Sequence, residues 1–447
     1  MSATSVFAPG FKERPWWWEA AEPEARVNGL PERAAVAIIG GGYAGLSAAL
    51  TLRGLGHEVV VLDAERIGWE ASSRNGGMVS GRVPVGEAAL EQAFGAEQAG
   101  EITVACAGAF GFIEDLIARE AIDCDYVRVG RFTGACTPKQ FDGLEAQAAR
   151  LQAMSGLPSR VVPRSEQHDF IGSDFYFGGM VSEATGSIHP GKYARGLAKA
   201  AERAGAFLVD GVRVQGVARE GSGFRLRTDR GEMLADAVLT ATNGYSLGPG
   251  GSSAMPWLAR RMVPVASYII ATEELPAETM ARLFPGMRMI GETRRVLNYY
   301  RPSPDGKRVI WGGRASFRGV TPTQAAPFLH AKMVEVFPEL AGTKVTHAWN
   351  GNVAFTFDHL PHIGEQDGVH YAAGCQGSGV GMATWLGHNV ALKLAGAANT
   401  RFALDGLPFP TRPFYNGDPW WVLPFIGNYY RALDWWDRRA IPPPRAL

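Results

Sequence analysis

The stretch Ala34-Ala-Val-Ala-Ile-Ile-Gly-Gly-Gly-Tyr-Ala-Gly-Leu-Ser47 decides how the rest of the chain is read. Residues 34–39 are a short apolar run closed by glycine, the pattern of a strand buried on both faces. Leu46, Ala49, Leu50 and Arg53 then recur at helical spacing until Gly54 and Gly56 end the helix. Between strand and helix lies Gly40-x-Gly42-x-x-Gly45. In such a turn the first glycine permits the tight bend, the second lets a pyrophosphate touch backbone, and the third lets helix approach strand. The helix start adds unpaired N–H groups and a positive dipole end, a seat for phosphate.

Outward from this unit, residues 59–62 read as a second buried strand ending in Asp63, an acidic side chain placed to accept hydrogen bonds from ribose hydroxyls. An NAD-binding domain is often followed by further regular βαβ units. Here the chain enters the loop Gly68-Trp-Glu-Ala-Ser-Ser-Arg-Asn-Gly-Gly77 instead. Two distant segments repeat the strand-then-glycine theme: 238–242 before Asn243-Gly244, and 371–373 before Gly374-x-x-Gly377-x-Gly379. Three such turns suit a long cofactor threaded through one domain, hence FAD over NAD. They also account for part of a glycine surplus of 56 in 447 residues, against a usual share of about 7%.

Composition sets the bounds. Lys+Arg and Asp+Glu both number 44, a balance that argues against a nucleic-acid partner. Cys106, Cys124, Cys136 and Cys375 form no metal or disulfide spacing, so a reducing cytoplasm is expected. No segment approaches the ~20 apolar residues of a membrane span. Seven of the 12 tryptophans stand near the ends: Trp16, Trp17, Trp18, Trp420, Trp421, Trp435 and Trp436. Farther along, helices are predicted over 87–153 with a strand at 126–135, and a helix over 192–204. Strands are predicted at 206–217, 223–228, 233–241, 263–272 and 295–315, and a last strand 369–373 before a helix 380–395.

The glycine turn, the loop Ala71-Ser-Ser-Arg-Asn-Gly-Gly77, Ile188-His-Pro190, Ala241-Thr-Asn-Gly-Tyr245, Trp311-Gly-Gly-Arg314 and Asp358-His-Leu-Pro-His-Ile-Gly364 resemble the FAD-dependent D-amino-acid oxidase superfamily. Within it they look closest to the γ-glutamylputrescine oxidase group, near sarcosine and glycine oxidases. The resemblance implies an α/β (α+β overall) fold, a Rossmann-like FAD-binding domain with an inserted mixed-sheet substrate domain. The expected division is an aromatic arm at 1–33, FAD-binding pieces at 34–85, 176–255 and 346–400, substrate pieces at 86–175 and 256–345, and an aromatic tail at 401–447.

It implies cofactor contacts position by position. Gly40, Gly42, Gly45 and Asp63, with Tyr43, Ala44 and Ala64 beside them, would hold the ADP half. Ala71, Ser72, Ser73, Arg74, Asn75, Gly76, Gly77 and Met78 would run along the flavin. Val214 would offer backbone to the adenine, and Ala241, Thr242, Asn243 and Gly244 would line the phosphate side. Gly374, Cys375, Gln376, Gly377, Gly379, Val380, Gly381 and Met382 would bring a helix start to the pyrimidine edge, where its dipole stabilises negative charge on reduced flavin. Two departures stand out. The group commonly carries Gly-His-Gly where this chain has Gly377-Ser378-Gly379, and relatives with covalent flavin carry a Cys where Gly351 stands here, so non-covalent FAD is expected.

Other residues carry open readings. Tyr300 and Arg301, with Tyr299 before them, could wall an amine pocket and pair a substrate carboxylate, or form a half-buried strand with a surface arginine; Arg314 shares that ambiguity. His189 could act as a base, but a structural contact at a helix start fits better. Asp358, His359 and His362 do not read as a metal site, because Pro361 interrupts any helix and no further ligands are near. Cys375 reads as a small filler. Phe425, Tyr429, Ala432, Leu433 and Trp436 share helical spacing. That pattern fits an interfacial membrane helix or an aromatic strap docked on the body or on a partner subunit, and Asp434 and Asp437 favour the strap. The expected function is oxidation of a small amine or N-substituted amino acid, with O2 as acceptor. The alternatives are a dehydrogenase that passes electrons to a quinone or carrier at a membrane surface, or a non-catalytic flavin-binding subunit.

Overall fold

A computed structural model describes residues 5–81, 85–316, 319–397, 402–420 and 423–439. Trp421 and the expected boundary at 400/401 lie outside these. Two sheets organise the molecule. The first holds the glycine-turn strand Arg33–Ile39 between Val59–Leu62 and Gly231–Thr240, with Phe207–Val209 beyond one and Val369–Ala373 beside the other, all parallel. Ile39 pairs with both Thr240 and Leu62, and Thr240 also pairs with Tyr371. This register puts the ends of these strands along one edge of the sheet. All three glycine turns and Asp63 therefore lie along the same strand-end edge, where ligands of open α/β sheets bind. Helices Tyr43–Gly54, Ala96–Arg119, Pro190–Arg203 and Gly379–Leu394 bury one face of this sheet. Gly387 and Ala44 let two of them touch: a Cβ on Gly387 would lie 2.1 Å from the Ala44 carbonyl oxygen.

The second sheet has nine strands in the order Phe7–Lys12, Val345–Phe355, Val263–Thr272, Val309–Gly313, Asn298–Pro302, Met289–Glu292, Arg131–Gly134, Gly179–Ser182 and Ser159–Val162. It is mixed, being parallel at the first pair and between Met289–Glu292 and Arg131–Gly134. Helix Pro322–Val336, started by a capping box at Thr321, covers one face.

Several local expectations change. The strand expected at 126–135 shortens to Arg131–Gly134, because Gly130 turns left-handed at φ +68°. The strand expected at 206–217 breaks at Gly211, φ +65°. Strand Phe7–Lys12 of the expected arm, strand Gly179–Ser182 of an expected FAD-binding piece, and strand Val345–Phe355, which spans the expected boundary at 345/346, all pair in the second sheet.

Candidate active site

The first glycine turn is packed tightly at the strand-to-helix corner. Gly40 sits at φ +107°, and a Cβ there would lie 2.8 Å from the Ala241 carbonyl oxygen. A Cβ on Gly45 would fall 1.9 Å from the Gly40 oxygen, so this glycine serves helix-to-strand packing and not the ligand face. Helix Tyr43–Gly54 has no side-chain cap; the Tyr43 N–H donates to Ser72 Oγ at 3.1 Å. Asp63 accepts from the backbone N–H of Gly41 (2.7 Å) and Glu65 (2.9 Å), while burial pushes its carboxyl up to about 6. One cleft is lined by Gly40, Gly42, Tyr43, Ala44, Asp63, Ala64, Ala71, Ser72, Val214, Ala241, Thr242 and Asn243, all candidates from sequence. Glu70, Arg213, Tyr245 and Asn352 join that lining. Each adjoins a segment singled out in the sequence: Glu70 the 71–77 loop, Arg213 Val214, Tyr245 the Asn243-Gly244 turn and Asn352 Gly351.

The 71–77 loop is held from three sides. Ala71–Arg74 is one helical turn. Asn75 Oδ1 then accepts from the Gly77 N–H (2.8 Å), and Asn75 Nδ2 donates to the Tyr43 hydroxyl (3.1 Å). Three indole N–H groups donate to three consecutive residues: Trp18 to Ser73 Oγ (3.0 Å), Trp349 to the Arg74 carbonyl (2.7 Å) and Trp17 to the Asn75 carbonyl (3.0 Å). The Arg74 guanidinium lies over the rings of Trp18, at 4.8 Å, and Trp69, at 5.5 Å. Trp17 and Trp18 are buried against the 71–77 loop, so these N-terminal aromatics support the loop and are not an appendage. Sequence reasoning left them outside because nothing local links residue 17 to residue 75.

The Asn298–Pro302 strand corrects the choice of catalytic candidates. Side chains alternate across a strand. Tyr300 faces the helix-covered core, stacks on Trp311 at 4.0 Å and bonds the Tyr176 hydroxyl at 2.7 Å, so it walls no pocket. Tyr299 faces the other way. A Cβ on Gly76 would sit 2.8 Å from its ring, and its hydroxyl lies 3.0 Å from Ser267 Oγ. Arg301, on the Tyr299 face, is fully enclosed: its Nη1 donates to the carbonyls of Ile188 (2.7 Å) and Gly77 (3.3 Å), and its Nε to that of Pro302 (3.0 Å). Burial brings its pKa down to about 9. Occupied by three carbonyls, it braces the loop and is not free for a substrate carboxylate.

His189 caps helix Pro190–Arg203, its Nδ1 accepting from the Lys192 N–H at 3.1 Å, and the edge-to-face Trp17 ring stands 5.0 Å away. Burial lowers its pKa to about 4, so it is neutral at physiological pH and serves as a cap. Arg314 differs. Burial lowers its pKa and its guanidinium lies 4.8 Å over the Phe355 ring, yet among the described residues it makes no ion pair and no side-chain hydrogen bond. It is close enough to Tyr299 for the two to interact electrostatically.

The third turn is tied to the second. Asn243 Oδ1 accepts from the Gly374 N–H (2.9 Å), and Asn243 Nδ2 donates to Cys375 Sγ (3.2 Å). Gln376, at φ +53°, donates to Thr356 Oγ1. Helix Gly379–Leu394 starts without a side-chain cap. Val380 and Met382 point into the core, and a Cβ on Gly381 would lie 3.0 Å from the Ser80 oxygen, so these three pack the helix. Asp358 and His362 pair at 3.0 Å, His362 stacks on Phe409, and His359 turns away at φ +59°.

The FAD dependent oxidoreductase (DAO) family model matches residues 35–392. The chain belongs to this family. It is 31% identical over 421 residues to "Probable oxidoreductase OrdL" of Rhizobium meliloti (strain 1021), covering 92% of this chain and 95% of that protein. It is 30% identical to the Gamma-glutamylputrescine oxidoreductase of Escherichia coli (strain K12), covering 83% and 86%. The fold matches the crystal structure of glycine oxidase from Geobacillus kaustophilus with TM-score 0.69 and 22% identity, covering 86% of this chain and 99% of that one. The chain is thus an FAD-dependent oxidoreductase.

The residues present fit FAD. The cleft is lined by Gly40, Gly42 and the N-terminus of helix Tyr43–Gly54, which would take a pyrophosphate, and by Asp63, which would take ribose hydroxyls. The tied Asn243 and Gly374 turns continue the same edge toward the second uncapped helix. Of the four cysteines, only Cys375 is in these turns, and it is buried.

Proposed function

We propose that this family member oxidises the C–N bond of an N-substituted amino acid or related small amine to the imine, with O2 taking up the electrons as H2O2. Arg314 carries the reading: a half-buried cation that, among the described residues, pairs with no carboxylate, and that neighbours Tyr299, which packs on Gly76 of the 71–77 loop. Such a guanidinium pairs a carboxylate bidentately. Bound FAD supplies the hydride acceptor at N5. Arg314 would fix the carboxylate end and Tyr299 would wall the pocket, which orients the carbon to be oxidised. A nearby cation also disfavours an ammonium, so Arg314 favours the neutral nitrogen that oxidation needs. His189, neutral and enclosed beside Trp17, takes no proton in this reading. The relative named for gamma-glutamylputrescine supports a substrate with an amino-acid head.

An anaerobic screen of amines and amino acids, following flavin bleaching, tests it. Carboxylate-bearing substrates should bleach the flavin, and Arg314→Met should raise their KM about 100-fold, about 3 kcal/mol for a lost charge-assisted pair. Equal bleaching by amines without a carboxylate, untouched by Arg314→Met, would overturn the assignment. Bleaching without peroxide on aeration would favour a dehydrogenase that passes electrons to a quinone or carrier, a reading supported by exposed aromatics on the C-terminal helix.

A further inference from the structure

The C-terminal helix Leu423–Arg439 is amphipathic in the inverted sense. Gly427, Arg431, Asp434 and Arg438 recur at helical spacing and meet the body. Gly427 is buried, and Arg431 donates to the Ala315 carbonyl at 2.7 Å. Asp434 accepts from the Val296 N–H at 3.0 Å, and Arg438 pairs with Glu335. Phe425, Tyr429, Ala432 and Trp436 recur at the same spacing on the opposite face. Phe425 is 75% exposed, Tyr429 61% and Trp436 66%, with Trp435 beside them at 57%. A surface helix ordinarily turns its apolar stripe inward. Here the polar stripe is docked and the aromatic stripe faces solvent, which marks an interaction surface.

The charges choose the occupant. Both acidic residues of the helix are paired with Arg295 (Asp437 at 2.7 Å, Asp434 at 3.1 Å), so neither presents a free negative charge to the aromatic face. The sequence objection to a membrane contact therefore falls away. Arg439 is the only charged residue of the helix that is exposed, and the sequence from 438 to 447 holds three arginines and no acid. Among the described residues no helix is long and apolar enough to cross a membrane, so the contact would lie in the interface plane. Phe, Tyr and Trp with a flanking cation are the composition that settles at headgroup level on an anionic bilayer. We propose that Leu423–Arg439 is a peripheral membrane-binding element that lays Phe425, Tyr429 and Trp436 into an anionic lipid surface. The docked face grips backbone at 296 and 315, next to the strand that carries Tyr299 and to Arg314 just beyond strand Val309–Gly313, so the helix lies beside the proposed substrate pocket.

The holoenzyme is sedimented with phosphatidylcholine vesicles and with phosphatidylcholine–phosphatidylglycerol vesicles. It should pellet with the mixed vesicles, with less binding at high salt. Phe425→Ser and Trp436→Ser should each weaken this about tenfold, the effect of withdrawing one ring from an apolar phase. Both variants must keep bound FAD and substrate-dependent bleaching, which shows them folded. Arg439→Glu, which touches no packed side chain of the body, should weaken binding to the anionic vesicles most. Brominated lipid should quench the tryptophan fluorescence of the unaltered protein. Absence of vesicle binding would overturn the proposal, and so would a concentration-dependent dimer abolished by the same substitutions. Neither outcome bears on Arg314 or on the identity of the substrate.

Discussion

Replacing Trp17 with Phe tests whether the N-terminal tryptophans set the geometry of the 71–77 loop. Trp17 is fully buried, and its indole N–H supplies the Asn75 carbonyl at 3.0 Å. Phe retains the ring packing but donates nothing. Leaving a buried acceptor unpaired costs about 1–3 kcal/mol. The missing pyrrole atoms leave a small void that adds about 1–2 kcal/mol. Only the first term acts on where the loop stands. If FAD must restore the loop on binding, the first term appears as about 5- to 150-fold weaker FAD affinity. The assay is titration of apoprotein with FAD by fluorescence, beside denaturant unfolding of the same sample. Trp16→Phe is the control, because Trp16 is half-buried and touches the rings of Trp17 and His189 without reaching the loop. A Trp17→Phe protein that loses stability yet binds FAD as tightly as before would refute the reasoning, since the indole would then hold only the arm.

Three further outcomes are expected. Tyr300→Phe should cost about 1–2 kcal/mol of stability by removing a buried hydroxyl bonded to Tyr176, with turnover unchanged, whereas Tyr299→Phe should alter KM; steady-state kinetics beside thermal melts separate them. Burial holds Asp63 at about 6 against an ordinary 3.8, so its contribution to apoprotein stability is full below 3.8 and is lost as pH rises through 6, a span of up to about 3 kcal/mol. Ribose hydroxyls would favour the charged form, so FAD affinity should rise over that same window, and Asp63→Asn should flatten both profiles in melts and titrations. Acid precipitation should leave the yellow colour in the supernatant, since Gly351 stands where a flavin-linking cysteine would be.

What could be read from the sequence was local. The strand, the Gly40–Gly45 turn, the helix and Asp63 lie within 30 residues, and each imposes its own backbone demand: Gly40 at φ +107° and Gly45 with no room for a Cβ. The Asn243 and Gly374 turns were legible for the same reason. Their tie through the Asn243 side chain was not, because it joins residues 131 apart. Alternation fixes that Tyr299 and Tyr300 point apart, but not which of them faces the site. Arg301 looked like a binding arginine because carbonyls 113 and 224 residues away, at Ile188 and Gly77, leave no trace near it.

The same residue type is used in opposite ways at the two ends of this chain, and its polar atom explains why. At the N-terminal end, Trp17 and Trp18 each find a buried acceptor in the 71–77 loop, so the indole N–H is satisfied and the ring can be enclosed. Among the described residues Trp435 and Trp436 have no such acceptor on the body, because the docked face of their helix is taken up by Asp434, Arg431 and Arg438. Enclosing their rings against the protein would strand their N–H groups and displace those paired charges. Outward exposure avoids that cost in water, and a headgroup layer relieves it further, since there the ring is partly withdrawn from water while the N–H stays wet. The energetic preference of Trp435 and Trp436 is therefore for an interface and not for a protein core, which is why lipid binding by Leu423–Arg439 follows from the hydrogen-bond inventory as well as from exposure.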